Sequence, residues 1–458
     1  MAPRGGLSCP APPRPALLHC TTCTLSTPQI LLTTQRVPHH SKLTVKNDGK
    51  AAVASVTLCL PAALRPESAG ARAAWGSFTD DNALAQTSGW ATPAGAPAAA
   101  SCADFALPTP LAPGKSGEVL LRAVFSKALR PLPATIKQGD DHRVVYEELS
   151  HTLSPYPILS DAATLELGGT AVSHAAASPS ALAPGNKLAL GPYVKVAPFS
   201  AAPLRVHFKT GASFAEAARV ERDVDVSAWG TVYFEDRYWL SNAAAALAGE
   251  FSRFALMTAQ KAPPGVVVGV VAAVPGDAHA LFFRDAIGNV STSAVHRRGA
   301  ATVVMLTPRF PLFGGWSTTF KFGWALPLSS VVDLSAGGAG GRVALAFEAG
   351  PAVQDVVVEE LVLRVVLPEG ASDVQVACAL PHQVRHERAL TYLDVLGRPA
   401  AVVTIRDFVP EAGTRVVVSY EPSGMALLQK PALLTAGERA GAARRGCVRV
   451  GCCCAASA

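Results

Sequence analysis

Apolar and polar residues alternate with a period of two along much of this chain, the signature of half-buried strands. Leu43 and Val45 alternate, a turn follows at Asn47-Asp48-Gly49, and residues 53–60 resume the alternation. Asp-Gly between two such runs predicts a hairpin. Residues 117–126 read as another strand, and Val224, Val226, Val232, Phe234 and Tyr238 are spaced for two more. Val343, Leu345 and Phe347 alternate, and 356–367 is a long β-branched run. Residues 391–395 and 401–405 follow, with Gly397-Arg398-Pro399 as the turn between them, and 414–420 is a last strand. Residues 62–104, rich in Ala, Gly, Pro and Ser, read as an irregular insertion that Trp75 and Trp90 hold down; 172–188 reads as a polar loop. Near Phe214 the order of strand, polar turn and strand echoes the start of the chain, which predicts two domains of similar build.

Composition agrees. Of 458 residues, 49% are apolar and 16% charged, enough for a sizeable core and too few charges for bulk disorder. Frequent Gly and Pro favour short strands and many turns. The fold expected is mainly β, with two tandem β-sandwich-like domains and disordered tails. The boundaries expected are 1–34 for a disordered tail, 35–213 and 214–425 for the two domains, and 426–458 for a second tail.

The net charge of +6 belongs to the tails: residues 1–40 carry +3 and 426–458 carry +4, leaving −1 for the body. No basic stripe suited to nucleic acid is left. The ten cysteines are also mostly terminal; only Cys59, Cys102 and Cys378 lie in the body, so at most one internal pair forms there, with Cys59–Cys102 the candidate. The Cys20-Thr21-Thr22-Cys23 spacing has no second pair to complete a metal site. Asp140-Asp141-His142 is an acid–histidine cluster, but after Gly139 it reads as a solvated turn.

Sequence signals for catalysis are missing. His386-Glu387 starts a zinc-protease word, but Leu390 stands where its second histidine belongs. Gly315-Trp316-Ser317 lacks the second glycine of a nucleophile elbow. Gly114-Lys115-Ser116 resembles the end of a phosphate loop whose first glycine is Thr109 here. No catalytic residue, cofactor or metal is expected.

Residues 281–328 are the most distinctive stretch. Asn289-Val290-Ser291 is a glycan acceptor triplet, with Gly288 before it to turn the chain. Then Pro308 and Pro311 flank Phe310, and Phe313, Gly314, Gly315 and Trp316 follow. Prolines deny ladder donors and paired glycines admit positive φ. One reading is a packed strand–turn–strand corner; the other is an exposed contact surface carried by Arg309, Phe310, Phe313 and Trp316.

The chain resembles the ribophorin I family, non-catalytic subunits of the endoplasmic reticulum oligosaccharyltransferase. The resemblance rests on Arg284-Asp285, Ile287-Gly288-Asn289-Val290-Ser291-Thr292-Ser293 and Pro308-Arg309-Phe310-Pro311-Leu312-Phe313-Gly314-Gly315-Trp316. It continues in Gly191-Pro192-Tyr193, Val206-His207-Phe208, Val226-Ser227-Ala228-Trp229-Gly230, Gly249-Glu250-Phe251-Ser252-Arg253, Leu367-Pro368-Glu369-Gly370 and Thr391-Tyr392-Leu393-Asp394, over roughly residues 35–432. It implies a luminal ectodomain of a single-pass membrane protein, supporting transfer of dolichol-linked oligosaccharide to Asn in N-x-S/T. The implied partners are the other subunits, including the catalytic one, and nascent polypeptide, with translocon and ribosome reached through parts missing here. Asn289 would be a glycan acceptor. The resemblance also makes 243–260 an irregular or extended segment, although Asn242 before four alanines reads locally as a capped helix.

The ends depart from that family. The first 40 residues hold no apolar core of about 7–15 residues for a signal, and no run of about 20 for a membrane span follows Lys430-Pro431. Both ends read as aberrant translation. A secreted or surface β-sandwich adhesion module is the alternative, and sandwich domains accompanying a hydrolase are a third.

Overall fold

The computed structural model describes residues 24–424 apart from 33–34, 63–67, 79–81, 94–95, 98–99, 260–261, 334–340, 379, 391–396 and 409–414, together with 432 and 435. The described chain is mainly β. It divides into two compact units: residues 1–130 with 144–209, and 131–143 with 210–458.

The first unit is built on a seven-stranded sheet. Its spatial order is Ser180–Ala183, Lys187–Val196, Ile158–Leu167, Thr24–Leu32, Val37–Lys46, Ser116–Phe125 and Ser68–Trp75. A four-stranded sheet and the pair Val53–Pro61 with Ala100–Leu111 complete it. Cys59 and Cys102 face each other in that pair and are disulfide-bonded.

The second unit also centres on a seven-stranded sheet. Its order is Gln383–Ala389, Arg398–Phe408, Val357–Val366, Ala215–Val226, Thr231–Asn242, Ser317–Pro327 and His279–Asp285. Two three-stranded sheets supply the other layer, and one apolar core joins them: Val224, Phe234, Leu361 and Val403 from the large sheet meet Val270, Leu306, Leu345 and Val418 from the small ones. Inside this core Arg222 forms a bidentate ion pair with Asp236, at 2.6 and 2.7 Å, with both side chains buried. Tyr238 Oη and the Ala352 amide donate to the same carboxylate at 2.8 and 2.9 Å, and Arg222 also donates to the Glu348 carbonyl at 2.8 Å.

The two large sheets share one wiring. With the seven strands of each sheet numbered in chain order, each runs sixth, seventh, fifth, first, second, fourth, third. In both, the first strand is antiparallel to the second and parallel to the fifth. The likeness of build read at the two openings thus extends to all seven strands.

Several expectations need correcting. The hairpin at Asn47-Asp48-Gly49 does not form: Val37–Lys46 and Val53–Pro61 lie in different sheets. Asn47 is fully buried, and its amide donates to the carbonyls of Ala51 and Leu111 at 2.8 and 2.7 Å. Those bonds make the turn a corner between layers instead of a return. The disordered N-terminal tail, expected over 1–34, is replaced at its end by the strand Thr24–Leu32, held between neighbours on both sides. The insertion at 62–104 contains Ser68–Trp75, and the loop at 172–188 contains most of Gly169–Ala175 and Ser180–Ala183. Arg398 and Pro399, expected in a turn, begin the strand Arg398–Phe408; residues 391–395 lie outside the described residues. His142 is fully buried rather than solvated, with Nε2 accepting from the Ala245 amide at 3.3 Å. Residues 131–143, expected in the first domain, belong to the second unit, where Thr135–Ile136 pairs with Ala246–Leu247.

Candidate functional site

The strand His279–Asp285 ends in a tight turn built on Asp285. Its Oδ1 accepts from the amides of Ile287 and Gly288 at 2.9 and 3.0 Å, and Gly288 takes φ of +146°, open to glycine alone without strain. The chain returns at Val290, whose amide donates to the Phe283 carbonyl and whose side chain is buried. Between these anchors Asn289 is exposed, and Arg284 Nε donates to its Oδ1 at 3.1 Å.

Arg309 crosses from the neighbouring loop to brace this turn. It pairs with the Asp285 carboxylate through Nε and donates from Nη2 to the Asn289 carbonyl at 3.1 Å. The guanidinium holds the Asp285 carboxyl below its usual range. This donor fork is already engaged within the chain, so Arg309 positions the turn that carries Asn289.

The aromatic residues separate by exposure. Phe313 is buried, Trp316 is half-buried and Phe310 is 43% exposed. The Trp316 ring stands edge-on to Phe310, Phe313 and Phe251, with centroids 6.3, 5.3 and 5.4 Å apart. Such T-shaped pairs set a ring's positive edge against a negative face. Close backbone approach fixes the corner: a Cβ on Gly314 would lie 2.0 Å from the Ala245 carbonyl oxygen, and Gly315 has φ of +82°. The corner is therefore packed on its inner side, through Phe313, and open on its outer side, through Phe310.

The sequence did not point to what adjoins it. After Phe251, a short helix spans Arg253–Thr258, capped by Ser252, whose hydroxyl accepts from the Ala255 amide at 3.2 Å. It buries none of its residues: Phe254 is 78% exposed and Met257 74%. Three residues apart, the two share one helix face. Gln138 ties the helix start down, exchanging two 2.9 Å hydrogen bonds with the Ser252 backbone. Residues 243–250 are not helical, because Asn242 is buried and spends its amide on the carbonyls of Gly265 and Leu312. The local helix signal was there, but ten residues downstream of Asn242, at Ser252.

Among the described residues, no group of three or more His, Cys, Asp or Glu is placed to hold a metal ion, and no helix is long and apolar enough to cross a membrane.

A family model described as Ribophorin I matches residues 26–439. Dolichyl-diphosphooligosaccharide–protein glycosyltransferase subunit 1A of Arabidopsis thaliana is 34% identical over 345 residues, covering 75% of this chain and 55% of that one. Subunit 1B of Oryza sativa subsp. japonica is 32% identical over 344 residues, covering 74% and 72%. Subunit 1 of Caenorhabditis elegans is 33% identical over 335 residues, covering 72% and 56%. The chain thus spans little more than half the length of the first and third of these relatives. Among solved structures, an M1 zinc metallopeptidase from Deinococcus radiodurans aligns with 45% of this chain and 42% of its own at 13% identity, with a TM-score of 0.27 that carries no argument.

Proposed function

The chain belongs to the ribophorin I family, and we propose that it works as a non-catalytic subunit of the endoplasmic reticulum oligosaccharyltransferase. In that role it supports transfer of dolichol-linked oligosaccharide to Asn in N-x-S/T of nascent proteins. The family match over residues 26–439 carries this reading, and the names of the relatives, subunits 1A and 1 of a dolichyl-diphosphooligosaccharide–protein glycosyltransferase, supply the complex. Bond-making resides in another subunit, and this chain contributes shape and attachment.

The surface offered for attachment is Phe254, Met257 and the exposed edge of Phe310, backed by Trp316 and Phe251. Clustered exposed aromatic and Met side chains are costly to leave in water and typical of contact surfaces. Asn289 is the glycan acceptor, on a turn that faces the lumen of the endoplasmic reticulum.

The test is co-purification from cells that contain the complex. The wild-type chain brings the catalytic subunit with it. Phe254→Asp with Met257→Asp lowers that recovery by about tenfold, as expected for loss of an interface hot spot, at an unchanged unfolding temperature. A wild-type chain that comes away alone rejects the reading and favours a stand-alone adhesion module. Asn289→Gln removes one glycan's mass on a gel; no shift contradicts luminal residence.

A further inference from the structure

The outer face of the large sheet in the second unit carries a cavity of about 520 Å³, a size within the roughly 300–1,000 Å³ of small-molecule sites. Four aromatic residues line it; Phe234 and Trp324 are buried, and Tyr233 and Phe282 are the more exposed pair. Tyr233 is 53% exposed, and Phe282 lies against Gly323, where a Cβ would come within 2.3 Å of the ring. Three carboxylates, Asp223, Asp225 and Glu235, face three guanidinia, Arg364, Arg388 and Arg398. Asp223 pairs with Arg364 at 2.9 Å and Asp225 with Arg398 at 2.8 Å, while Glu235 pairs with Lys321.

We propose that this cavity binds a neutral carbohydrate, with a sugar ring laid on Tyr233 and Phe282 and its hydroxyls bridging the carboxylates and guanidinia. The wall charges balance before any ligand arrives. An ionic ligand attracted by one half is repelled by the other. Hydroxyl groups use both halves, since each donates to a carboxylate and accepts from a guanidinium. The C–H face of a pyranose carries partial positive charge and suits the negative face of an aromatic ring.

An extended peptide fits less well. Peptides that join sheets do so through unpaired backbone at an edge. The strands Thr231–Asn242, Ala215–Val226 and Val357–Val366, which form much of the floor, are each paired on both sides. Their side chains alone are left to recognise a ligand. The argument rests on this cavity and is independent of membership in any complex.

Saturation-transfer NMR on the full chain, with N,N′-diacetylchitobiose and an α-linked mannobiose as probes, tests it. Transfer to sugar ring protons is expected, weakened at least tenfold by Tyr233→Ala and by Asp223→Asn, and unchanged by Trp229→Ala, an exposed residue outside the cavity. Both variants are checked against the wild-type unfolding temperature; if Asp223→Asn unfolds, Tyr233→Ala alone decides. A second arm compares one oligosaccharide carried on an asparagine peptide with the same one carried on a lipid diphosphate. Binding of either supports the site, and the tighter one identifies the source. The proposal is overturned if neither disaccharide shows transfer. It is equally overturned if transfer survives Tyr233→Ala, or if an acidic or basic hexapeptide binds more tightly than both sugars and is lost in that variant.

Discussion

The two large sheets have the same strand order and are fastened by different chemistry. In the first unit, a disulfide joins Cys59 to Cys102 in the two-stranded pair beside the sheet. In the second, the buried Arg222–Asp236 pair, with Tyr238, lies inside the core. Wiring is dictated by where apolar faces must meet, which many sequences satisfy. Fastenings depend on single side chains and diverge freely. One detail is shared: an aromatic of the third strand lies on a glycine of the fourth, Trp75 on Gly117 in one sheet and Phe282 on Gly323 in the other.

The largest test of this difference is Asp236→Ala, which leaves Arg222 charged in an apolar interior. A loss of about 3–5 kcal/mol is expected, seen as early loss of amide-exchange protection in the second unit while the first keeps its own. Cys59→Ala with Cys102→Ala should do the reverse, costing the first unit about 2–4 kcal/mol, measured by denaturant unfolding with and without reductant. Equal loss in both units from either change would mean that they unfold as one body. Gly117→Ala and Gly323→Ala each force an aromatic ring aside and should cost about 1–3 kcal/mol, each in its own unit, read as a shift in thermal midpoint.

The smallest effect expected is in pH dependence, where two buried groups, one in each unit, differ in sign. Asp161, in the first unit, is buried with Oδ1 unpartnered, and burial raises its pKa above the ordinary 3.8 although the Thr152 amide donates to Oδ2. The folded unit therefore keeps a proton that the unfolded chain gives up, so stability falls as pH rises from 3.8 through the raised value. His142, in the second unit, is held below its ordinary 6.5 by burial. Its contribution is present above 6.5 and is lost as pH falls through the lowered value. Asp161→Asn should flatten the first slope and His142→Gln the second, followed by exchange protection of each unit from about pH 4 to about pH 7. A slope left unchanged by its own variant would refute the assignment for that group.

How much could be read beforehand follows from range in sequence. Strands such as Ser116–Phe125, Val357–Val366 and Arg415–Glu421 sit where alternation or β-branching placed them, because each strand's pattern is local. The shared wiring was visible only at its openings; pairing Thr24–Leu32 with Ile158–Leu167 depends on contacts more than a hundred residues apart. Asn47 misled because Asn-Asp-Gly permits a hairpin and a layer corner equally, and the Leu111 carbonyl decides. At the candidate site, the residue types in 308–316 left inner and outer faces unresolved. Phe313 turned inward and Phe310 outward, and the exposed pair Phe254 and Met257 lay in a segment whose helix signal had been read at Asn242.

The assignment of residues 131–143 to the second unit has a topological consequence. The chain passes between the units three times, after residues 130, 143 and 209. A single proteolytic nick at any of these junctions leaves two fragments that still share the packing of at least one unit. Nor can the chain be cut at one point into two complete halves: a fragment ending at residue 209 carries a thirteen-residue loop whose β-partner, Ala246–Leu247, is still unmade. On a ribosome that loop must wait for the later half to emerge.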